Sequence, residues 1–395
     1  MNRDQKARFL LNPQRTGLPV DAEATSDPLS FHRRLPGYSP TPLHDLPGLA
    51  RSLGIGQLLA KNESSRLGLP AFKILGASWA VYRALEQRTG KLEPWQTMAE
   101  LAERLAPLRP FTLATATDGN HGRAVAHMAA LLGLSASIYV PLGTAQARID
   151  GIASEGATVK IVKGTYDDAV QRVAQDASDR CLVVSDTSWP GYEEIPQWVT
   201  EGYATIMAEI DDALAERDTP PPDLIAVPFG VGALAAAVVR HNETLPPNER
   251  AKVLSVEPLR AACMLDSMAA GELVTVPGPH NSIMAGLNCG RPSIIAWPIV
   301  SKAIDGFIAI PDERARQAMR ALAREGIVAG ETGAASLAGL IELLTNPEMA
   351  PHSAALEIDQ DSRALVIITE GATDPRSYRE IVSGEPTRSP SRLSS

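Results

Sequence analysis

From residue 111 onward, short apolar runs alternate with stretches of helical pattern, and this alternation constrains the fold more than any other feature. Strands are expected at 111–117, 136–141, 158–163 and 181–185, with helices at about 120–132, over 147–155 and around 167–175. Short apolar strands separated by helices mark parallel strands covered on both faces. A second series follows at 224–228, 252–257, 306–310 and 364–369, set off by the polar Glu216-Arg-Asp218 and the turn Pro220-Pro-Pro222. The polar segment 88–110, with Pro94 and Pro107, leads into the first series. The expected fold class is α/β, with two open twisted, mainly parallel sheets and flanking helices. Such sheets bind ligands in the cleft outside the carboxyl ends of their strands. Asp118, Asp186, Gly230, Glu257 and Glu370 all fall at or just after the ends of expected strands.

Composition removes several function classes. A chain of 395 residues has room for two domains with substantial cores. A hydrophobic share of 44% with 21% charged residues is that of a soluble globular enzyme. The net charge of −9 and the lack of a long Lys/Arg cluster argue against a nucleic-acid partner. The start, Met1-Asn-Arg-Asp-Gln-Lys-Ala-Arg, lacks the apolar core of a signal peptide. The apolar stretch 224–239 is broken by Pro228, Gly230 and Gly232 and is shorter than the ~20 residues of a membrane span, so no membrane partner is expected. Cys181, Cys263 and Cys289 do not make a disulfide framework, which favours a cytoplasmic location; Cys263 and Cys289 can pair only if the fold joins them. The tail 384–395, rich in Ser, Pro and Arg, reads as disordered.

Four segments carry chemistry. In Ala114-Thr-Ala-Thr-Asp-Gly-Asn-His-Gly122, a strand exit meets a helix start. Backbone N–H groups there suit a small anion such as a carboxylate, and Asp118 puts a proton acceptor beside it. Lys73, in Gly68-Leu-Pro-Ala-Phe-Lys-Ile-Leu-Gly76, has an apolar setting. An ammonium losing hydration there gives up its proton more readily, as a Schiff-base lysine requires; the alternative is a lysine snorkelling from an apolar helix face. Gly230-Val-Gly232 follows a strand and opens an apolar helix, which fits either a phosphate cradle or a plain structural turn. It lacks the Lys-Ser/Thr ending of a P-loop and the third glycine of a dinucleotide fingerprint. Asp186 ends another strand of the first series, as a functional carboxylate or a turn former, and Glu331 in Gly330-Glu-Thr-Gly-Ala334 suits a helix start. His121 and His127 are six residues apart, no Cys/His set has zinc spacing, and no metal is expected. No Gly-x-Ser-x-Gly elbow is present.

Together these segments resemble the pyridoxal-phosphate enzymes of the tryptophan synthase β fold (fold type II), and among them the diaminopropionate ammonia-lyases. The likeness runs from Leu35-Pro-Gly-Tyr-Ser-Pro-Thr-Pro-Leu43 to Thr369-Glu-Gly-Ala-Thr-Asp-Pro-Arg376. Between them lie Asn62-Glu-Ser-Ser-Arg-Leu-Gly-Leu, Gly191-Tyr-Glu-Glu-Ile-Pro196 and Ser282-Ile-Met-Ala-Gly-Leu287. Asp118 is similar to the lyases, whereas related dehydratases usually carry Ser before the Gly-Asn-His. The resemblance implies a large cofactor-binding domain of 1–87 with 191–395, a small domain of 88–190, and a homodimer. It implies pyridoxal 5'-phosphate held covalently by Lys73, with its phosphate on Gly230, Val231, Gly232, Ala233 and Leu234. Ala233 stands where the family usually has Ser, which removes one hydroxyl contact and keeps the backbone donors. It further implies Asn120 beside the ring hydroxyl and Thr369 at the pyridine nitrogen. Thr117, Asp118, Gly119, Asn120 and His121 would bind the substrate, with Asp118 and Asp186 as bases for its two enantiomers. The implied reaction is α,β-elimination from D- or L-2,3-diaminopropionate to pyruvate and ammonia. A serine or threonine dehydratase and a non-catalytic cofactor-binding regulator are the alternatives.

Overall fold

Among the described residues eleven strands form, most where apolar runs are bounded by turn residues: β1 (Arg8–Leu11), β2 (Leu43–Asp45), β3 (Gln57–Asn62), β4 (Thr112–Ala116), β5 (Ser135–Pro141), β6 (Thr158–Val162), β7 (Cys181–Val183), β8 (Leu224–Pro228), β9 (Lys252–Pro258), β10 (Gly306–Ile310) and β11 (Arg363–Ile368). The computed structural model describes residues 6–19, 27–90, 92–117 and 119–384. The expected tail lies outside them apart from Gly384, as does the expected base Asp118.

Four strands make one sheet in the order β6-β5-β4-β7, all parallel. Seven make the other, in the order β1-β10-β9-β8-β11-β3-β2, parallel except for the edge strands β1 and β2. Both sheets were expected. The strands β1, β2 and β3 were not, and the reason is physical. β1 and β2 are only four and three residues long. β3 reads Gln-Leu-Leu-Ala-Lys-Asn, and its lysine breaks the apolar pattern. Lys61 is nevertheless fully buried, because Glu209, far away in sequence, accepts from its Nζ at 2.6 Å.

The central strands β8 and β10 are buried at every position, as parallel strands covered on both faces must be. The largest core joins the two sheets through helices. It contains Leu113 and Ile138 from the four-stranded sheet, Ile225 and Phe307 from the seven-stranded sheet, and Leu75, Val125 and Val199 from helices between them. The helix Lys73–Thr89 packs on both Asn120–Leu131 and Glu194–Gly202, with Gly76 against the Tyr203 ring. A second core lies on the opposite face of the larger sheet. Helix and strand ends that face the gap between the sheets are therefore held from behind by continuous packing. No helix of the described residues is long and apolar enough to cross a membrane.

Candidate active site

A cavity of about 610 Å³ opens where the carboxyl ends of the two sheets' strands face each other. Lys73, Thr117, Asn120, His121, Asp186, the run Gly230, Val231, Gly232, Ala233 and Leu234, and Thr369 all line it. Gly119 is buried at the cap of the helix Asn120–Leu131. Two of the amides that the loop offers an anion are satisfied internally: Gly119 N and Gly122 N donate to Thr117 Oγ1 at 2.9 and 3.1 Å.

Lys73 is the first residue of its helix, and the loop before it is pinned by backbone bonds to the end of β11. Phe72 N donates to Thr369 O at 3.3 Å, Gly371 N donates to Pro70 O at 2.9 Å, and Ala71 pairs with Glu370. The lysine's environment is less apolar than its sequence neighbours suggest. Its Nζ donates to Asp186 Oδ2 at 2.6 Å, an ion pair that sequence distance hid. Burial pushes the Asp186 carboxyl up, but the Lys73 ammonium, His121 and a 3.1 Å bond from Tyr166 Oη outweigh it and hold the carboxyl well below the usual range. His121 Nε2 bonds Val184 O at 2.8 Å, on the stretch leading to Asp186. His127 instead faces away, on Glu155 at 2.9 Å. Among the described residues no three His, Cys, Asp or Glu side chains gather as a metal would need.

The opposite wall is the turn Gly230-Val231-Gly232 before the helix Ala233–Thr244. Gly232 has φ +101, and a Cβ there would come 2.7 Å from Phe229 Cζ. Only glycine fits, and the turn then presents backbone N–H groups and the positive helix end to the cavity. Ser293 N braces the turn at Val231 O (2.9 Å), and the Ser293 and Ser188 hydroxyls meet at 2.5 Å. Cys263 and Cys289 both approach Gly230, the first donating to its carbonyl at 3.7 Å, and neither forms a disulfide. An anion cradle on one wall and a lysine amine on another, across a cavity of this size, fit a phosphorylated aldehyde such as pyridoxal phosphate.

Of the strand-end carboxylates, Asp186 and Glu370 line the cavity and Glu257 does not. Glu257 lies within β9, fully buried, and accepts from Met264 N at 2.7 Å and Leu265 N at 2.9 Å. It satisfies the first amides of the helix Cys263–Ala270, and burial pushes its carboxyl up to about 8. It is a capping group rather than a site residue. The sequence also left three cavity contacts unread. Tyr166 bonds Asp186, the Ser377 hydroxyl donates to Glu331, and the Asn120 amide donates to Glu370. Each joins residues from separate elements, so no local pattern announces it. Glu331 lines the cavity instead of opening a helix.

The pyridoxal-phosphate-dependent enzyme family matches residues 34–369. The diaminopropionate ammonia-lyase of Salmonella typhimurium is 38% identical over 368 residues, covering 90% of each chain. The crystal structure of the Escherichia coli diaminopropionate ammonia-lyase in complex with D-serine superposes with a TM-score of 0.88 at 34% identity, over 97% of this chain and 98% of that one. The same enzyme with an aminoacrylate-PLP azomethine reaction intermediate gives 0.87 at 34% identity, with the same coverage. Fold, cavity and relatives agree: the chain belongs to the pyridoxal-phosphate-dependent enzymes and, within them, to the diaminopropionate ammonia-lyases.

Proposed function

We propose that this chain is a carbon–nitrogen lyase that uses pyridoxal 5'-phosphate to convert 2,3-diaminopropionate to pyruvate and ammonia. The observation that carries the reading is the Lys73–Asp186 pair at 2.6 Å, facing a glycine turn built to receive a phosphate. Lys73 would hold the cofactor, Gly230 to Leu234 would bind its phosphate through backbone N–H groups, and Asn120 and Thr369 would serve its ring hydroxyl and ring nitrogen. Bound pyridoxal phosphate supplies an electron sink that makes the substrate's Cα–H acidic.

The side chains do the rest. Asp186 takes the Cα proton of the L form and Asp118 that of the D form, while Thr117, Asn120 and His121 seat the substrate carboxylate and Gly119, its amide held by Thr117, shapes the loop. A carboxylate held far below its usual range is a weak base. Lys73 is the largest influence opposing burial, with His121 and Tyr166 adding to it, so Asp186 is a stronger base while the released Lys73 is a neutral amine than while it is an ammonium. A β-nitrogen bound as the ammonium departs as neutral ammonia with the C–N bonding pair and needs no further proton, and the neutral Lys73 amine relays the Cα proton onward from Asp186.

Asp186, Glu331, Glu370 and Asp374 line the cavity, and their charge favours a β-ammonium over the neutral hydroxyl of serine or threonine. Residues 88–190 form the small domain and 1–87 with 191–395 the large one. In support, all strands of the four-stranded sheet lie between Thr112 and Val183 and pair only with one another. The enzyme works as a homodimer in the cytoplasm, a setting that suits cysteines outside disulfides. A panel of both diaminopropionate enantiomers, serine and threonine, assayed for 2-oxo acid, tests the activity. Faster turnover of serine or threonine than of either diaminopropionate would overturn it, as would no turnover of any.

A further inference from the structure

Glu370 follows the end of β11 with its backbone fixed on two sides, by the bridge to Ala71 and by Gly330 N donating to its carbonyl at 3.0 Å. Its side chain is buried (1% exposed) yet lines the cavity. One carboxylate oxygen accepts from Thr332 N at 3.2 Å, and the other accepts from Asn120 Nδ2. Asn120 belongs to the other side of the cleft, at the start of the helix that follows β4. The bond therefore spans the gap between the two sheets.

A carboxylate can only accept, so it admits the amide of Asn120 in one orientation, NH2 toward Glu370 and carbonyl away. The amide nitrogen carries a second hydrogen, whose direction is set by the same flip. Charge on the acceptor strengthens the first bond. We propose that Glu370 is a positioning residue: it fixes the flip of Asn120 across the cleft so that the second N–H, not the carbonyl, faces the ring hydroxyl of the cofactor. This rests on the proposed place of Asn120 beside that hydroxyl.

Glu370→Gln separates positioning from packing. Glutamine has one accepting oxygen, and Thr332 N and Asn120 Nδ2 are both donors. Holding Thr332 N with that oxygen turns its NH2 toward Asn120, which then flips to accept and turns its carbonyl where its N–H stood. The holoenzymes of wild type, Glu370→Gln, Asn120→Ala and the double variant are compared by visible absorbance of the cofactor from pH 6 to pH 10 and by the dissociation constant for pyridoxal phosphate. Each single variant is expected to shift the balance of absorbing forms and to weaken cofactor binding about three- to tenfold, the worth of one hydrogen bond. The double variant should match Asn120→Ala, since Glu370 acts through Asn120.

A reversed pair, Asn120→Asp with Glu370→Gln, restores the cross-cleft bond with the opposite polarity. It should regain the melting temperature lost by Asn120→Asp alone but keep the altered spectrum. Additive losses in the double variant, a recovered spectrum in the reversed pair, or a normal spectrum in Glu370→Gln beside an altered one in Asn120→Ala would overturn the positioning role. An unchanged spectrum in Asn120→Ala would overturn the placement of Asn120 itself, and the positioning role with it.

Discussion

Replacing Glu209 by Gln tests the platform on which Lys73 stands. Glu209 is 2% exposed and receives five hydrogen bonds. Arg66 Nη1 and Nη2 donate at 2.6 and 2.7 Å, Lys61 Nζ at 2.6 Å, Tyr38 Oη at 2.8 Å and Thr41 N at 3.1 Å. Glu63 completes the cluster with bonds of 2.8 and 2.6 Å from Arg66. Two cations thus meet two carboxylates out of water, and Arg66 anchors the turn to Leu69 that leads to Lys73. Glutamine would leave one buried positive charge uncompensated and turn a donor toward other donors. Breaking a buried pair in this way costs about 3–5 kcal/mol.

A second route gives a similar size. Burial pushes the Glu209 carboxyl up, but Arg66 and Lys61 overcome that and hold it at about 2, against an ordinary 4.5. A depression of that size corresponds to about 3 kcal/mol at neutral pH. Because the folded value is the lower one, the contribution is full above about pH 4.5 and fades as pH falls toward 2. With roughly 2 cal/mol/K of unfolding entropy per residue, the loss at pH 7 amounts to roughly 4–6 °C in Tm if the chain unfolds as one unit. Calorimetry of wild type and variant at pH 7 and pH 3.5 checks this, and the gap in stability should narrow by about 1–2 kcal/mol at the lower pH. A Tm loss under about 1 °C at pH 7, or an equal loss at both pH values, would refute the reasoning.

Lys73→Ala should abolish the visible absorbance of bound cofactor, and an intact spectrum would exclude Lys73 as its lysine. Asp118→Asn should lose turnover of D-diaminopropionate more than that of the L form, and Asp186→Asn the reverse; kcat/KM for each enantiomer measures both, and equal losses would remove their stereochemical roles. Gly232→Ala places a Cβ against Phe229 at φ +101 and should cost about 1–3 kcal/mol of folding stability together with cofactor affinity, read by urea denaturation and by titration with pyridoxal phosphate.

Much of the fold was legible because its signals are local. The strands β8 and β10 coincide with the expected 224–228 and 306–310, since fully buried parallel strands are continuous apolar runs with sharp polar ends. β3 was not legible, since its lysine becomes compatible with a central position only once Glu209 arrives from a helix 148 residues away. Site residues divide in the same way. The glycine turn from Gly230 to Gly232 carries its own signature, because the positive φ at Gly232 selects the residue type. Glu257 and Asp186 look alike in sequence, two acids at strand ends, and only their surroundings separate a helix cap from a partner of Lys73.

The sequence by itself determined which chemical groups this protein has: an apolar-flanked lysine, an anion turn, and acids at strand exits, in an order that builds two mainly parallel sheets. Periodicity and turn chemistry are properties of neighbours along the chain, so they survive without a structure. Tertiary structure alone decided which polar groups meet: Lys73 with Asp186, Glu209 with Arg66 and Lys61, and Glu370 with Asn120. Electrostatic and hydrogen-bond energies depend on distances of a few ångströms and on exclusion of water, and neither is set until the two sheets close over one cavity.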